Sequence, residues 1–339
     1  MTKISKQQTN VLNADINGKP IVISLFAGCG GSSLGYHYAG FKELLAIEWD
    51  TNAVETFKLN FPDVPVWQKD INKITGKEIL EFLNIEKGKL DILDGSPPCQ
   101  GFSTAGKRVV SDKRNDLVRQ NIRIIDELQP KVFVIENVSG MIKGKMKGLF
   151  IEYMRLMKSL NYQVKCKLMN AKYYQVPQSR ERVIFIGVRK DLGIEPSFPE
   201  GNKKVVTVKE AFKNLDNKQE RIIPRGQLAN IVIKMKAGET ASKYHKKGNH
   251  FGTHKLHWNK VAPALIKTIA ASINLIIHPE YNLGISINEA KRLHSFPDNF
   301  KFIGSYSEQW ARIGNSVPPL FMKAIANHIK ENILEKRRN

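Results

Sequence analysis

The chain has 339 residues and a formal net charge of +21, from 53 Lys and Arg against 32 Asp and Glu. With 42% hydrophobic and 25% charged residues, it has the composition of a folded protein and not of a disordered one. The length suits two or three domains, and the cationic excess favours a polyanionic partner over an acidic one.

The longest apolar runs, such as 21–27 and 132–135, fall far short of the roughly 20 residues of a spanning helix, so no membrane partner is expected. The first 20 residues are polar and lack the apolar centre of an export signal. The cysteines, Cys29, Cys99 and Cys166, are few and odd in number. They make no disulfide framework and fit a reducing cytoplasm.

Residues 1–19 form a polar arm. Residues 21–26 read as a buried strand, closed by the small-residue turn Ala27-Gly28-Cys29-Gly30-Gly31. Ser32 or Ser33 is placed to cap a helix that runs to about residue 39. Further strands are expected at 44–48, 64–67, 90–94, 131–135 and 183–188, with an apolar alternation at 163–168. Helices are expected at 51–60, 77–83, 116–128 and 149–160. Short apolar strands alternating with helices predict a doubly wound α/β sheet.

The alternation stops after Arg189. Residues 201–278 carry 15 Lys and Arg against 4 Asp and Glu, about half the excess charge, and five of the eight histidines. This reads as a separate, smaller, basic domain. With no cysteine beside those histidines, DNA contact or plain loop positions suit them better than a metal site. Beyond it, a helix at 287–294, a turn, and an amphipathic helix at 320–335 are expected.

Two loops carry chemistry. A strand, a Gly-Cys-Gly-Gly turn and a helix let backbone N–H groups approach a ligand at a helix N-terminus. Glu48 ends the next strand, 20 residues after Gly28, where a carboxylate accepts hydrogen bonds from ribose hydroxyls. Ser33 stands where the dinucleotide fingerprint needs its third glycine, which counts against a nicotinamide-dependent dehydrogenase. A ligand with a ribose and no pyrophosphate, such as S-adenosylmethionine, suits the turn better, although a plain structural turn has the same residues. The second loop, Gly95-Ser96-Pro97-Pro98-Cys99-Gln100-Gly101-Phe102-Ser103, fixes the backbone with two prolines just before a thiol. No second cysteine is close enough for redox or metal work, so a nucleophile is favoured. Glu136, at the end of the following strand, can meet it as an acid.

These residues resemble the motifs of the DNA (cytosine-5) methyltransferases. Residues 25–31 are similar to the family's F-x-G-x-G-G, followed by Glu48-Trp49-Asp50 and Asp70-Ile71. Pro98-Cys99-Gln100 to Ser103 resembles its P-C-Q-x-F-S, Glu136-Asn137-Val138 its E-N-V, and Gln178 to Arg182 its Q-x-R-x-R. Residues 287–300 resemble the ninth motif, and Gly314-Asn315-Ser316-Val317-Pro318-Pro319 the tenth. The matches run in family order from about Ile21 to the C-terminus.

The resemblance implies a Rossmann-like sheet that uses S-adenosylmethionine, with a smaller basic target-recognition domain. It implies that the Cys99 thiolate attacks C6 of a flipped-out cytosine in duplex DNA. Glu136 then holds N3, Arg182 binds O2 and Arg180 orients the same corner. It further implies cofactor contacts from Phe26, Gly28, Gly30, Glu48, Trp49, Asp70, Ile71, Pro97 and Asn315. DNA contacts are implied for Gln100, just before a loop at 101–116 expected to close on DNA, and for Ser103, Lys107 and Arg114 within it. The expected division is an arm at 1–19, a catalytic domain at 20–190 plus 283–339, and target recognition at 191–282. One departure from the family pattern is Ala264, where a threonine is usual, with Thr268-Ile269 nearby. A monomer is expected, serving as the modification half of a restriction system whose nuclease acts separately. A tRNA methyltransferase with the same motifs is the alternative substrate reading, and a binding protein that only keeps the fold is disfavoured by the retained Cys99, Glu136, Arg180 and Arg182.

Overall fold

Strand β1 (Ile21–Leu25) is buried along its whole length, as a nearly continuous apolar run between two helical layers must be. The computed structural model describes residues 18–98, 116–142, 147–215, 220–245 and 252–336. The chain divides into two compact units.

The first unit comprises Met1–Met169, Glu181–Glu200 and Met322–Asn339. Its centre is a seven-stranded sheet in the order β3-β2-β1-β4-β5-β8-β6. The further strands are β2 (Lys42–Glu48), β3 (Val66–Gln68), β4 (Ile92–Gly95), β5 (Val132–Val138), β6 (Tyr162–Asn170) and β8 (Glu181–Arg189). The pairs β1–β2, β2–β3, β1–β4 and β4–β5 are parallel, and β8 runs antiparallel to β5. The chain winds outward from β1 to β3, then returns to the other side of β1 to make β4. The gap between β1 and β4 is therefore a switch point, where open α/β sheets bind ligands at the carboxyl ends of their strands. Leu25 is level with Gly95 in the register, so the glycine turn and the proline–cysteine loop leave the sheet side by side.

The helices follow from their ends and faces. Helix α2 (Thr51–Asn60) is capped by Asp50, which accepts from the Ala53 N–H at 2.9 Å. Helix α3 (Gly76–Leu83) opens with a capping box between Thr75 and Glu78. Helix α4 (Asp116–Leu128) spans the expected residues, burying Val118, Ile122 and Ile125 at helical spacing. It also fixes Gly95, because a Cβ there would lie 1.9 Å from the Asn121 amide nitrogen. Helix α1 (Gly31–Tyr38) starts otherwise than expected. Its cap is Gly30, in the left-handed region at φ 94°, and Ser32 and Ser33 lie inside the helix. The turn spends its glycine on the reversal, which frees both hydroxyls for buried carboxyl groups. Helix α5 (Lys147–Ser159) covers β8 through Phe150 against Phe185.

The second unit comprises Asn170–Arg180 and Gly201–Phe321. It takes in residues 283–321, which the sequence grouped with the sheet, because the chain there packs against the basic segment. One core joins Val208 and Phe212 of the N-terminal part to Leu265, Ile285, Leu293, Trp310 and Ile313. Its elements are short: α6 (Val208–Ala211), α7 (Gln227–Val232), and two-residue strand pairs. Of these pairs, β7 (Gln178–Ser179) pairs with β10 (Ala262–Pro263), and β9 (His254–Lys255) with β11 (Ile276–Ile277). Arg221 and Glu289 form a buried ion pair that ties the basic segment to α8 (Ile287–Leu293). Helix α9 (Tyr306–Asn315) stands where only a turn was expected. Helix α10 (Pro319–Ile329) then passes into a wider turn at Lys330–Leu334, short of the single helix expected to residue 335.

Candidate active site

The carboxyl edge of the first unit is built from backbone geometry. Phe26 leaves β1 at φ 54°, a left-handed conformation uncommon for a bulky residue. That bend brings the Ala27 N–H to the Ile47 carbonyl at 3.1 Å. Gly30 is required on steric grounds, since a Cβ would lie 2.3 Å from the Phe61 ring. Gly28, at φ 57°, faces open space and donates its N–H to Glu48 Oε2 at 2.8 Å. The other Glu48 oxygen accepts from the N–H groups of Trp49 and Asp50, at 2.8 and 2.9 Å. Three backbone donors thus fix one carboxylate at the edge of the sheet and leave acceptor capacity for a hydroxyl pair. Beside it the Trp49 indole is 74% exposed, an unusual position for so large an apolar surface. Asp70 caps the next turn through the Asn72 N–H, 3.0 Å away, and Ile71 behind it is buried.

The second part of this edge lies on β4, β5 and β8. Pro97 is buried, and its carbonyl accepts from Asn137 Nδ2 at 3.3 Å, which anchors the loop two residues before Cys99. Glu136 lies opposite Ile184 across the antiparallel pair, and Arg182 opposite Val138. Glu136 and Arg182 are therefore diagonal neighbours on one face. Arg182 Nε reaches Glu136 Oε1 at 2.7 Å. Glu136 is only 8% exposed, so this is a charge-assisted bond in a largely dry setting. Cys99, Gln100, Ser103, Lys107 and Arg114 lie outside the described residues.

Sequence reasoning missed two carboxyl groups behind this edge. Asp94, near the end of β4, is 2% exposed and accepts from the Tyr36 hydroxyl at 3.2 Å. Glu43 on β2 accepts from the Ser33 hydroxyl at 2.9 Å. Burial pushes Glu43 up to about 7, against the pull of its serine hydrogen bonds. The signal available in the sequence was an Asp inside an apolar strand and two serines in a glycine turn.

Arg180 lies in the second unit. Its side chain is 2% exposed within the second unit, and its guanidinium is given to backbone. Nη1 donates to the Leu265 carbonyl at 2.9 Å, and Nη2 to those of Gly314 and Ser316 at 3.1 and 3.0 Å. The reason is alternation: it stands two positions after Gln178, which is also buried. Gln178 accepts from the Leu265 N–H and donates to the Leu293 carbonyl. Among the described residues, Arg180 thus holds three backbone segments of the second unit together. Asn315 is exposed, and the carbonyls on either side of it are held by one Arg180 nitrogen.

Comparison with known proteins agrees with this arrangement. The family model for C-5 cytosine-specific DNA methylase matches residues 21–331. The type II methyltransferase M1.HphI of Haemophilus parahaemolyticus is 34% identical, over 91% of this chain and 86% of that protein. M.XorII of Xanthomonas oryzae, also a type II methyltransferase, is 31% identical, over 94% of this chain and 86% of that one. A solved structure from E. coli, described as a prophage-encoded DNA modification methyltransferase, superposes with a TM-score of 0.78 at 27% identity. It covers 94% of this chain and all of its own. The chain belongs to the C-5 cytosine-specific DNA methylases.

Proposed function

We propose that this enzyme methylates C5 of cytosines in a specific duplex DNA sequence, with S-adenosylmethionine as methyl donor. The observation that carries the proposal is the Glu136–Arg182 pair, 2.7 Å apart at the carboxyl edge beside the anchored Pro97. A carboxyl group and a guanidinium held side by side match N3 and O2 of one pyrimidine ring. Cys99 forms a bond from Sγ to C6, and the ring's electrons move toward C5. Glu136 holds the proton at N3, and Arg182 donates to O2, where negative charge develops. Bound S-adenosylmethionine supplies an electrophilic methyl group to C5. A base then removes the C5 proton, the Sγ–C6 bond breaks, and aromaticity returns. The target carbon lies inside the duplex, so the base must leave the stack, at a few kcal/mol.

The donor set at the glycine turn fits this methyl donor. Glu48, oriented by three N–H groups, receives the ribose hydroxyls, and Trp49, with Phe26, flanks the adenine. Gly28 and Gly30 let the chain approach closely, Asp70 and Ile71 border the base, Pro97 lies beside the donor, and Asn315 contacts its amino-acid end. Gln100, Ser103, Lys107 and Arg114 contact DNA. Residues 191–282, which from Gly201 onward belong to the second unit, read the target, and residues 20–190 with 283–339 do the chemistry. The relatives are type II methyltransferases; on this reading the enzyme is the modification half of a restriction system with a separate nuclease, a monomer in a bacterial cytoplasm.

The test is Cys99→Ala, with methyl transfer to duplex DNA and DNA affinity measured together. Transfer should be abolished and DNA binding retained. Turnover at the wild-type rate would sink the covalent mechanism, and transfer to tRNA in place of DNA would redirect the substrate assignment.

A further inference from the structure

Asp94 takes no part in the chemistry above, yet it sits where the two halves of the edge meet. It is the residue before Gly95, at the end of the strand that feeds the cysteine loop. Its carboxyl group is buried against the first two turns of α1, the helix that the glycine turn begins. Ser32 and Tyr36 both hydrogen bond to it. The described groups that face it are these two hydroxyls from α1, the Glu43 carboxyl from β2 and the Glu136 carboxyl from β5. A carboxylate among hydroxyls and other carboxyl groups, out of water, has nothing to balance its charge.

We propose that Asp94 is a positioning residue kept as the neutral carboxylic acid, which latches α1 and its glycine turn to the end of β4 and so couples the cofactor edge to the cysteine loop. A neutral carboxyl can donate one hydrogen bond and accept others, which an aspartate ion cannot. Burial raises the Asp94 carboxyl to about 8, opposed by the Ser32 and Tyr36 hydrogen bonds and assisted by the charges of Glu43 and Glu136. The latch therefore holds at neutral pH and opens as the solution turns alkaline. The proton is retained in the fold long after an unfolded aspartate, with a pKa of about 3.9, has lost it. Stability from this source is full below pH of about 4 and is lost as pH rises toward 8.

The inference rests on reading the glycine turn as the cofactor-binding edge, so the two are tested by different variants. Affinity for S-adenosylmethionine and melting temperature are followed from pH 6 to 9 in the wild type, Asp94→Asn, Asp94→Ala and Glu48→Ala. Asparagine has the shape and neutrality of the acid. Asp94→Asn should bind within about twofold of the wild type at pH 7, and Asp94→Ala about tenfold worse. By pH 9 the wild type should lose about tenfold more affinity than Asp94→Asn, one decade per pH unit past the titration. Its melting temperature should fall with pH more steeply as well. If Asp94→Asn were as weak as Asp94→Ala at pH 7, or if wild type and Asp94→Asn tracked each other across pH, the latch would be overturned. Glu48→Ala with undiminished affinity would overturn the cofactor reading instead, while the melting curves would still decide on Asp94.

Discussion

Arg180 and Arg182 are one residue apart in a single motif, yet they serve different parts of the molecule. Arg182 belongs to the sheet and ends in an ion pair at its carboxyl edge. Arg180 belongs to the second unit and ends on three backbone carbonyls. A guanidinium offers five donors in a rigid fork, and these two forks are used in opposite ways. One pairs with a carboxylate at the sheet edge; the other gives its donors to backbone. A shared motif therefore does not imply a shared task, and the two arginines should separate in experiment.

The largest effect is expected at Arg180. Arg180→Met keeps much of the volume but removes the donors to the carbonyls of Leu265, Gly314 and Ser316, of which Ser316 keeps its bond to His294 Nε2 at 2.8 Å. Each buried carbonyl that loses its donor costs about 1–3 kcal/mol. Thermal or denaturant unfolding should register it in full, with or without DNA. If instead Arg180→Met kept its stability and lost only turnover, Arg180 would be restored to the substrate and the contrast would collapse.

Arg182→Ala comes next and should show the reverse pattern. Removing one donor aimed at developing charge costs roughly 3–4 kcal/mol, a drop of about 10²–10³-fold in kcat. Single-turnover methylation at saturating DNA and cofactor measures it. The loss of stability should be smaller than for Arg180→Met, because Arg182 gives up one ion pair at the sheet edge where Arg180 gives up three buried bonds to backbone. A variant that unfolded as readily as Arg180→Met would erase the distinction between edge and interior.

The contrast also marks what a linear reading can recover. The glycine turn and Glu48 were legible, because strand, turn and strand are contiguous and the 20-residue spacing follows from one βαβ unit. Helix α4 was legible because its apolar period is clean. The Glu136–Arg182 pairing was not, since 46 positions separate the two and only the antiparallel course of β8 beside β5 brings them together. Arg180 was placed with Arg182 on the motif the two share, and the backbone carbonyls that it holds lie 85 or more positions away, beyond any local pattern. Asp94 was taken as an ordinary strand residue. Its meaning depends on which helix covers it, and that is set by the packing of α1 rather than by any local pattern.

The smallest effect concerns α9, which was missed although its start was written in the sequence. Ser305 accepts from the Glu308 N–H and donates to the Glu308 carboxylate at 2.7 Å, a capping box at the head of Tyr306–Asn315. Ser305→Ala should cost about 1 kcal/mol, the usual loss for such a cap. That helix carries Trp310, whose indole N–H holds the Ile266 carbonyl at 2.9 Å, and it ends at Asn315. The fraying is confined to the first turn, a full helix length from the Arg180 bonds. Amide exchange should therefore quicken near residue 306 and stay slow at residues 314–316. Faster exchange at both ends would mean that α9, and not Arg180, is what sets the position of Asn315.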